Sequence, residues 1–397
     1  MTDTNSGRDY RVRTDCRLCG GPIATRLALG NTPLANELTE RQDTEQDTFP
    51  LYLAQCTDCQ HVQLPVVVNP QRLFQRDYVY QSGTSAVFVK HLQELARDVQ
   101  PRAGGFVVEI GSNDGTLLSE YQRLGFSVLG VDPASNAADV AEARRVPTIR
   151  AFFGRATLAN WNLAGRKADL VVALNVFAHA DDLNDIAAGV AMLLADDGEF
   201  VIECGYLPDL VKRGIYRTIY HEHLSYWHAA PMFSFLMTHG LHLYDAERVP
   251  TQGGSMRYYA SRAPRSQSER LRAILAAETP EAIDVSGLQP VIERDRAELQ
   301  AILADARARD LKVCGYGAPA QLTATAYACG LRASDIAFVC DDSPLKQGKY
   351  TPGLHWPIVP PSALQTERPD VCIIFSANFS ASIIAAHPEF AGEWVVL

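Results

Sequence analysis

The stretch "FVVEIGSNDGTLLSEYQRLGFSVLGVD", residues 106–132, limits what this chain can fold into more than any other. Phe106 to Ile110 is an apolar run of strand length, Gly111 and Gly115 punctuate the loop after it, and Thr116 to about Arg123 has the spacing of an amphipathic helix. A second strand is expected from Ser127 to Val131, ending on Asp132. The alternation resumes in "ADLVVALNVFAHADDLNDIAAGVAMLLADDGEFVIEC", with a strand from Asp169 to Leu174, a helix near Asp182 to Leu194 and a strand from Glu199 to Cys204. Strands and helices taken in turn this way make a doubly wound α/β sheet, whose ligands sit beyond the carboxyl ends of the strands. His179 falls just past such an end. A lone loop histidine is otherwise a solvated or capping residue.

A glycine loop of this kind serves two cofactor classes. A dinucleotide site wants G-x-G-x-x-G, so that the backbone can approach a pyrophosphate at the helix amino terminus. Here the two glycines stand at G-x-x-x-G spacing, with Glu109 and Asp114 flanking the loop, and negative charge suits a cationic cofactor. The pattern E-x-G-x-x-x-G resembles motif I of class I S-adenosylmethionine-dependent methyltransferases. That resemblance implies cofactor contacts from Glu109, Gly111, Asn113, Gly115 and Asn175, and gives Asp132 the ribose hydroxyls.

Two Cys-x-x-Cys pairs, Cys16 with Cys19 in "CRLCG" and Cys56 with Cys59 in "CTDCQ", stand near the amino terminus. Each pair forms a knuckle with its thiolates aimed at one centre, and two knuckles complete a tetrahedral zinc site with no open position. Such a closed shell is structural. A thioredoxin-type redox motif is a single pair opening a helix, and two copies do not fit it. Cys204, Cys314, Cys329, Cys340 and Cys372 stand singly in apolar stretches and are expected in the core. A length of 397 residues, at roughly 100–200 per domain, gives two to four domains, with three as the working division. Net charge is −10 with no dense basic stripe, so a nucleic-acid partner is not expected. No apolar run approaches the ~18 residues of a membrane span, and the polar amino terminus has no leader-like core. A cytoplasmic monomer without membrane contact is expected.

In "IYHEHLSYWH", His221, His223 and His228 fall within eight residues. A metalloprotease helix needs H-E-x-x-H, because two ligands on one helical face stand a turn apart, and H-E-H lacks that spacing. General acid/base chemistry needs less: an imidazole of near-neutral pKa, held by a carboxylate and set beside a phenol. Tyr220, Glu222 and His223 supply those groups, and a polar loop closing over the sheet is the competing reading.

Taken in order, the twin knuckles, "VVEIGSNDGTLL", "NVFAHA", "YHEHLSY", "TQGGSMRYYAS" and "DDSPLKQGKYTPGLHWPI" resemble the sugar C-methyltransferases that branch deoxysugars on nucleotide carriers. The likeness runs from Cys16 to beyond Pro357. It implies an α/β protein of three domains: a zinc-binding module over 1–75, a class I methyltransferase domain with a Rossmann-like sheet over 76–265, and a Rossmann-like nucleotide-sugar domain over 266–397. It further implies S-adenosylmethionine and structural zinc as cofactors and a dTDP-linked 4-keto-deoxysugar as substrate, methylated at C-3 rather than C-5 through an enolate. In that pattern His223 is the general base with Tyr220 and Glu222 beside it, His179 contacts the keto or enolate oxygen, and Tyr78 or Tyr80 lines the sugar pocket. Two departures stand out. Asp132 is shorter than the glutamate family members often carry, and Ala377 precedes Asn378 where a tryptophan is expected.

The last third begins with a charged helical stretch carrying Ile292, Leu299, Ile302 and Leu303. A strand, a turn with Gly315 and Gly317, and a helix follow. The dinucleotide fingerprint here lacks its third glycine, and Tyr316 with the Lys346 region is assigned to the carrier diphosphate instead. Gly253, Gly254, Ser255 and Arg257 are further phosphate candidates, since backbone amides beside an arginine suit phosphate oxygens; a hairpin turn explains the glycine pair equally well. An NAD-dependent nucleotide-sugar oxidoreductase and a zinc-containing regulatory protein on a degenerate methyltransferase fold are the alternatives.

Overall fold

The computed structural model describes residues 9–74, 81–161, 163 and 165–396. Tyr78 and Tyr80 lie outside them. The chain forms two compact units, the first of Met1–Ala24, Ala54–Lys212 and Leu224–Asp284, the second of Thr25–Leu53, Arg213–His223 and Val285–Leu397.

The first unit is built on a seven-stranded sheet whose strands are β1 (Phe106–Ile110), β2 (Ser127–Val131), β3 (Thr148–Ile149), β4 (Ala168–Leu174), β5 (Leu194–Gly205), β6 (His242–Val249) and β7 (Ser255–Ser261). Their order is β6-β7-β5-β4-β1-β2-β3. Strands β1 to β5 run parallel to one another, while β7 runs antiparallel to both β5 and β6. The chain moves outward from β1 to β3 and then returns to β4, which makes the β1/β4 crevice the topological switch point.

Alternation along the strands explains why both faces are covered. Val108 and Ile110 pack with Val171, Ala173, Phe200 and Ile202 on one face, against Ile186 and Val190 of the helix Leu183–Leu193. Val107, Leu170, Val172 and Val201 point to the other, against Phe88, Leu92 and Leu95 of the helix Ala86–Asp98 and Leu117 and Tyr121 of the helix Thr116–Arg123. Each such buried side chain contributes about 1.5–3 kcal/mol. Ser85 starts the first of these helices by accepting from the N–H of Phe88. The expected strand at Glu199 begins earlier, because Leu194 pairs with Ala168 before the register shifts to Glu199.

Around the cysteines the strand Tyr10–Val12 pairs antiparallel with Val66–Val68, and Val62–Gln63 pairs with Ser225–Tyr226 on one side and with Gln55 and Ala54 on the other.

The second unit holds a five-stranded, wholly parallel sheet of β8 (Val313–Tyr316), β9 (Val339–Cys340), β10 (Ile358–Val359), β11 (Val371–Ile374) and β12 (Glu393–Val396), ordered β10-β9-β8-β11-β12. The helix Gln289–Ala308 buries Ile292, Leu299 and Leu303, the periodicity legible in its sequence. Two outlying segments join this unit. Thr39 and Tyr350 exchange backbone hydrogen bonds, and Arg217 forms an ion pair with Asp295 at 2.7 Å. The five single cysteines are all buried. No helix among the described residues is long and apolar enough to cross a membrane.

Candidate active site

The loop after β1 is held by its own carboxylates. Gly111 and Gly115 take left-handed φ values of 68° and 74°, and a Cβ on Gly111 would stand 2.5 Å from Val176 Cγ2, so only glycine fits there. Asp132, at the carboxyl end of β2, accepts from the N–H groups of Asn113 and Ala134, each at 2.8 Å. Asp114 accepts from the Thr116 hydroxyl at 2.7 Å and the Gly83 N–H at 2.9 Å, and Asn113 Oδ1 accepts from the Ser82 N–H at 2.9 Å. Asp114 therefore shapes the loop. Glu109 is different: it is buried, and its Oε2 has no hydrogen-bond partner among the described residues. Burial, with Asp114 and Asp132 nearby, holds its carboxyl well above the usual range.

Asn175 follows β4 at a φ of 58° and donates its N–H to the Glu203 carbonyl at 2.6 Å. His179 lies further along this loop, its ring edge-on to Phe74 at 5.7 Å. Both sit beyond the carboxyl end of β4, beside the switch point.

The four predicted cysteines converge. Their Sγ atoms all lie within 4.8 Å of one another, with Cys16 to Cys59 and Cys19 to Cys56 both at 3.6 Å. Zinc–sulfur bonds of about 2.3 Å give a tetrahedron with edges of roughly 3.8 Å, so the thiolates fit that ion. Backbone N–H groups of Gly21 and Asp58 point at Cys19 and Cys56 at 3.4 Å, and each knuckle closes on a left-handed residue, Gly20 or Gln60.

In the second unit a turn closes from the Tyr220 carbonyl to the His223 N–H at 2.9 Å, which sets residues three apart face to face. The Tyr220 hydroxyl meets His223 Nε2 at 2.9 Å, with ring centroids 4.1 Å apart. His223 Nδ1 lies 2.6 Å from the Thr218 carbonyl. A carbonyl only accepts, so Nδ1 carries the proton and Nε2 offers its lone pair to the phenol. The expectation that a carboxylate holds His223 is corrected in part: the Thr218 carbonyl occupies Nδ1, and Glu222 Oε1 accepts from Asn36 Nδ2 at 2.7 Å. His221 is buried, with Nε2 3.1 Å from the Pro50 carbonyl, and burial lowers it to about 4, which makes it a neutral packing residue.

The remaining candidates divide. Gly253 and Gly254, both at positive φ, turn the β6–β7 hairpin, the plainer of their two expected roles. Ser255 Oγ bonds back to Thr251. Arg257 is buried with its guanidinium on Glu203 at 3.0 Å and Glu247 at 3.1 Å; His91 and Thr251 complete Glu203's shell. This charge cluster was not foreseen, because its members are scattered from residue 91 to residue 257. In the second unit Tyr316 ends β8 with its hydroxyl on Asp342 at 3.1 Å and His387 at 2.9 Å, and Lys346 Nζ donates to the Ala318 carbonyl at 3.0 Å.

Three family models match the chain: a methyltransferase domain over residues 108–200, a zinc binding domain over 16–74 and a C-methyltransferase C-terminal domain over 250–397. C-methyltransferase NovU of Streptomyces niveus is 34% identical over 96% of this chain and 94% of its own. The chain belongs to the sugar C-methyltransferase family. An Azorhizobium caulinodans ubiquinone biosynthesis O-methyltransferase is 32% identical over 34% of this chain and 47% of its own. Magnesium protoporphyrin IX methyltransferase (ChlM) of Synechocystis PCC 6803, solved with bound SAM, matches with TM-score 0.33 and 18% identity over 44% of this chain and 78% of that one.

This C-methyltransferase depends on S-adenosylmethionine, and its loop suits that cofactor. Glu109 Oε2, buried and without a partner among the described residues, is open to a hydrogen-bonding group of the cofactor, and each Asp132 oxygen keeps a lone pair beyond the N–H it already accepts. The four cysteines would hold zinc, as the zinc binding domain match agrees.

Asn36 is another residue that sequence reading missed. It lies in "LGNTPLANELTE", a loop-like stretch with no motif, and only the fold brings it to Glu222. Burial pushes the Glu222 carboxyl from 4.5 up to about 7. Between those values the folded chain keeps a proton that the unfolded chain releases, so stability falls as pH rises toward 7, by on the order of 3 kcal/mol. E222Q is expected to abolish that loss. Its urea midpoint should exceed the wild type's at pH 8 and converge with it near pH 4; midpoints that run parallel across this range would rule the effect out.

Proposed function

We propose that this C-methyltransferase methylates a dTDP-linked 4-keto-deoxysugar, at C-3 in preference to C-5, in the making of an antibiotic deoxysugar. The observation that carries this reading is the Tyr220–His223 pair, a phenol donating to an imidazole whose other nitrogen is fixed by a carbonyl. That is equipment for removing a proton from a carbon acid. His223 Nε2 is the acceptor, reached through the Tyr220 hydroxyl, which can give its own proton to the imidazole as it takes one from the carbon beside the keto group. The family resemblance assigns His179 to the enolate oxygen, and a buried Glu222 tethered to Asn36 stiffens the turn. S-adenosylmethionine, when bound, supplies an electrophilic methyl group to the carbon that has lost its proton.

Tyr78 or Tyr80 lines the sugar pocket in this reading. Tyr316 and Lys346 are assigned to the carrier diphosphate. Arg257 is left out because its guanidinium is committed to Glu203 and Glu247. The three-domain division at 75/76 and 265/266 and a cytoplasmic monomer complete the proposal.

The test is mass spectrometry of products formed from methyl-labelled S-adenosylmethionine and a panel of dTDP-4-keto sugars in deuterated water. Methyl incorporation next to the keto carbon is expected, with deuterium exchange at that carbon even when the cofactor is withheld. Methylation of none of the panel by a chain that binds S-adenosylhomocysteine would eliminate the substrate class. Binding of NAD in its place would turn the reading toward an oxidoreductase.

A further inference from the structure

Arg17 lies inside the first Cys-x-x-Cys pair, yet no part of its side chain reaches solvent. Its guanidinium donates through one terminal nitrogen to the Leu224 carbonyl and to Ser225 Oγ at 3.3 Å. Through the other it reaches the Leu64 carbonyl at 2.9 Å and Asp181 Oδ1 at 3.4 Å. Its main chain is pinned as well: its N–H donates to Gln63 Oε1 at 2.9 Å, and its carbonyl accepts from Asn184 Nδ2 at 3.0 Å. Burying a guanidinium carries a large desolvation penalty, and three of its four acceptors are neutral oxygens that offset the charge only in part. Packing alone would be served as well by an apolar side chain.

The acceptors indicate what the charge is for. Asp181 stands two residues past His179, and Leu224 is the next residue in the chain after His223. The strand Ser225–Tyr226 ties these places together: the Ser225 N–H donates to the Ala178 carbonyl at 3.0 Å, and Trp227 Nε1 donates to the Phe177 carbonyl at 2.8 Å. On its other edge the strand pairs with Val62–Gln63, between the second cysteine knuckle and Leu64. His61, buried beside that knuckle, places Nε2 3.2 Å from Ser225 Oγ.

We propose that Arg17 is a positioning residue for methyl transfer, coupling the four-cysteine site to the loop that carries His179 and to the peptide that follows His223. This rests on the assignment of those two histidines to the chemistry. The planar fork is what the role requires, since it holds several acceptors in fixed directions; a lysine keeps the charge and offers one compact tip.

The zinc-loaded full chain and its R17K variant, compared by zinc content, hydrogen–deuterium exchange and steady-state kinetics, test the proposal. R17K is expected to retain its zinc, because all four thiolates remain. Amides in 177–181 and 224–227 should exchange at least about tenfold faster, with those of β1 unchanged. With a methylated 4-keto sugar as readout, kcat should fall ~10- to 100-fold while KM stays within about twofold. Exchange that is unchanged in both segments overturns the proposal, and so does exchange that quickens evenly along the chain, β1 included, since that marks a merely structural residue. Should R17K fail to fold, D181N serves in its place: faster exchange confined to 177–181 supports the coupling, and unchanged exchange there overturns it. A wild-type chain that methylates no 4-keto sugar defeats the substrate assignment and leaves the exchange comparison able to decide on Arg17.

Discussion

Replacing His223 by asparagine is expected to lower kcat by about 10²- to 10⁴-fold, the usual loss when a positioned acid or base is removed. That range corresponds to ~2.7–5.5 kcal/mol of barrier. Asparagine can still donate to the Thr218 carbonyl, so the turn from Tyr220 to His223 should survive and substrate affinity should change little. What disappears is the Nε2 lone pair on which the Tyr220 hydroxyl rests. Single-turnover transfer of labelled methyl, run beside deuterium exchange of the sugar, checks this. Both should fall together, because one proton transfer governs both. Turnover within tenfold of wild type would take His223 out of the base role, and methyl transfer that slows while exchange stays fast would move the residue to a later step.

Loss of the zinc site is expected to have the larger effect on folding. C56S removes one of four thiolates from a fully buried position, and structural zinc bound this way contributes on the order of 10 kcal/mol in small modules. Zinc content should fall to background, and limited proteolysis should open the segment between Tyr10 and Phe74. C372S, at a buried single cysteine in β11, should leave zinc content untouched. A C56S chain that keeps full zinc and a wild-type melting curve would mean that the metal, if it binds, is held elsewhere.

Much of this protein was open to reading in one dimension, for a definite reason. Where function depends on residues close in sequence, the chain itself displays the geometry. Residues 106–132 gave strand, glycine loop, helix and strand with the bounds the fold then takes, because an apolar run, two glycines and an amphipathic period act locally. The knuckle spacing fixed four zinc ligands, since a tetrahedral ion leaves a Cys-x-x-Cys pair little choice. Tyr220 and His223 were paired by a three-residue interval that a turn converts into contact.

Other features required the fold because their partners are far apart in the chain. Nothing local in the sequence indicates that Asn36 meets Glu222 or that Pro50 receives His221; Thr218 stands only five residues before His223, yet no motif marks its carbonyl as the partner of Nδ1. Arg257 read as a phosphate ligand from its neighbours Gly253 and Gly254, but β7 lies against β5, where Glu203 claims it. Local pattern singled out the candidates for cofactor, metal and base. Tertiary structure alone decided which of them are buried and which charges were already paired, because burial and the ion pairs of Glu203 and Arg257 are set by contacts between distant segments.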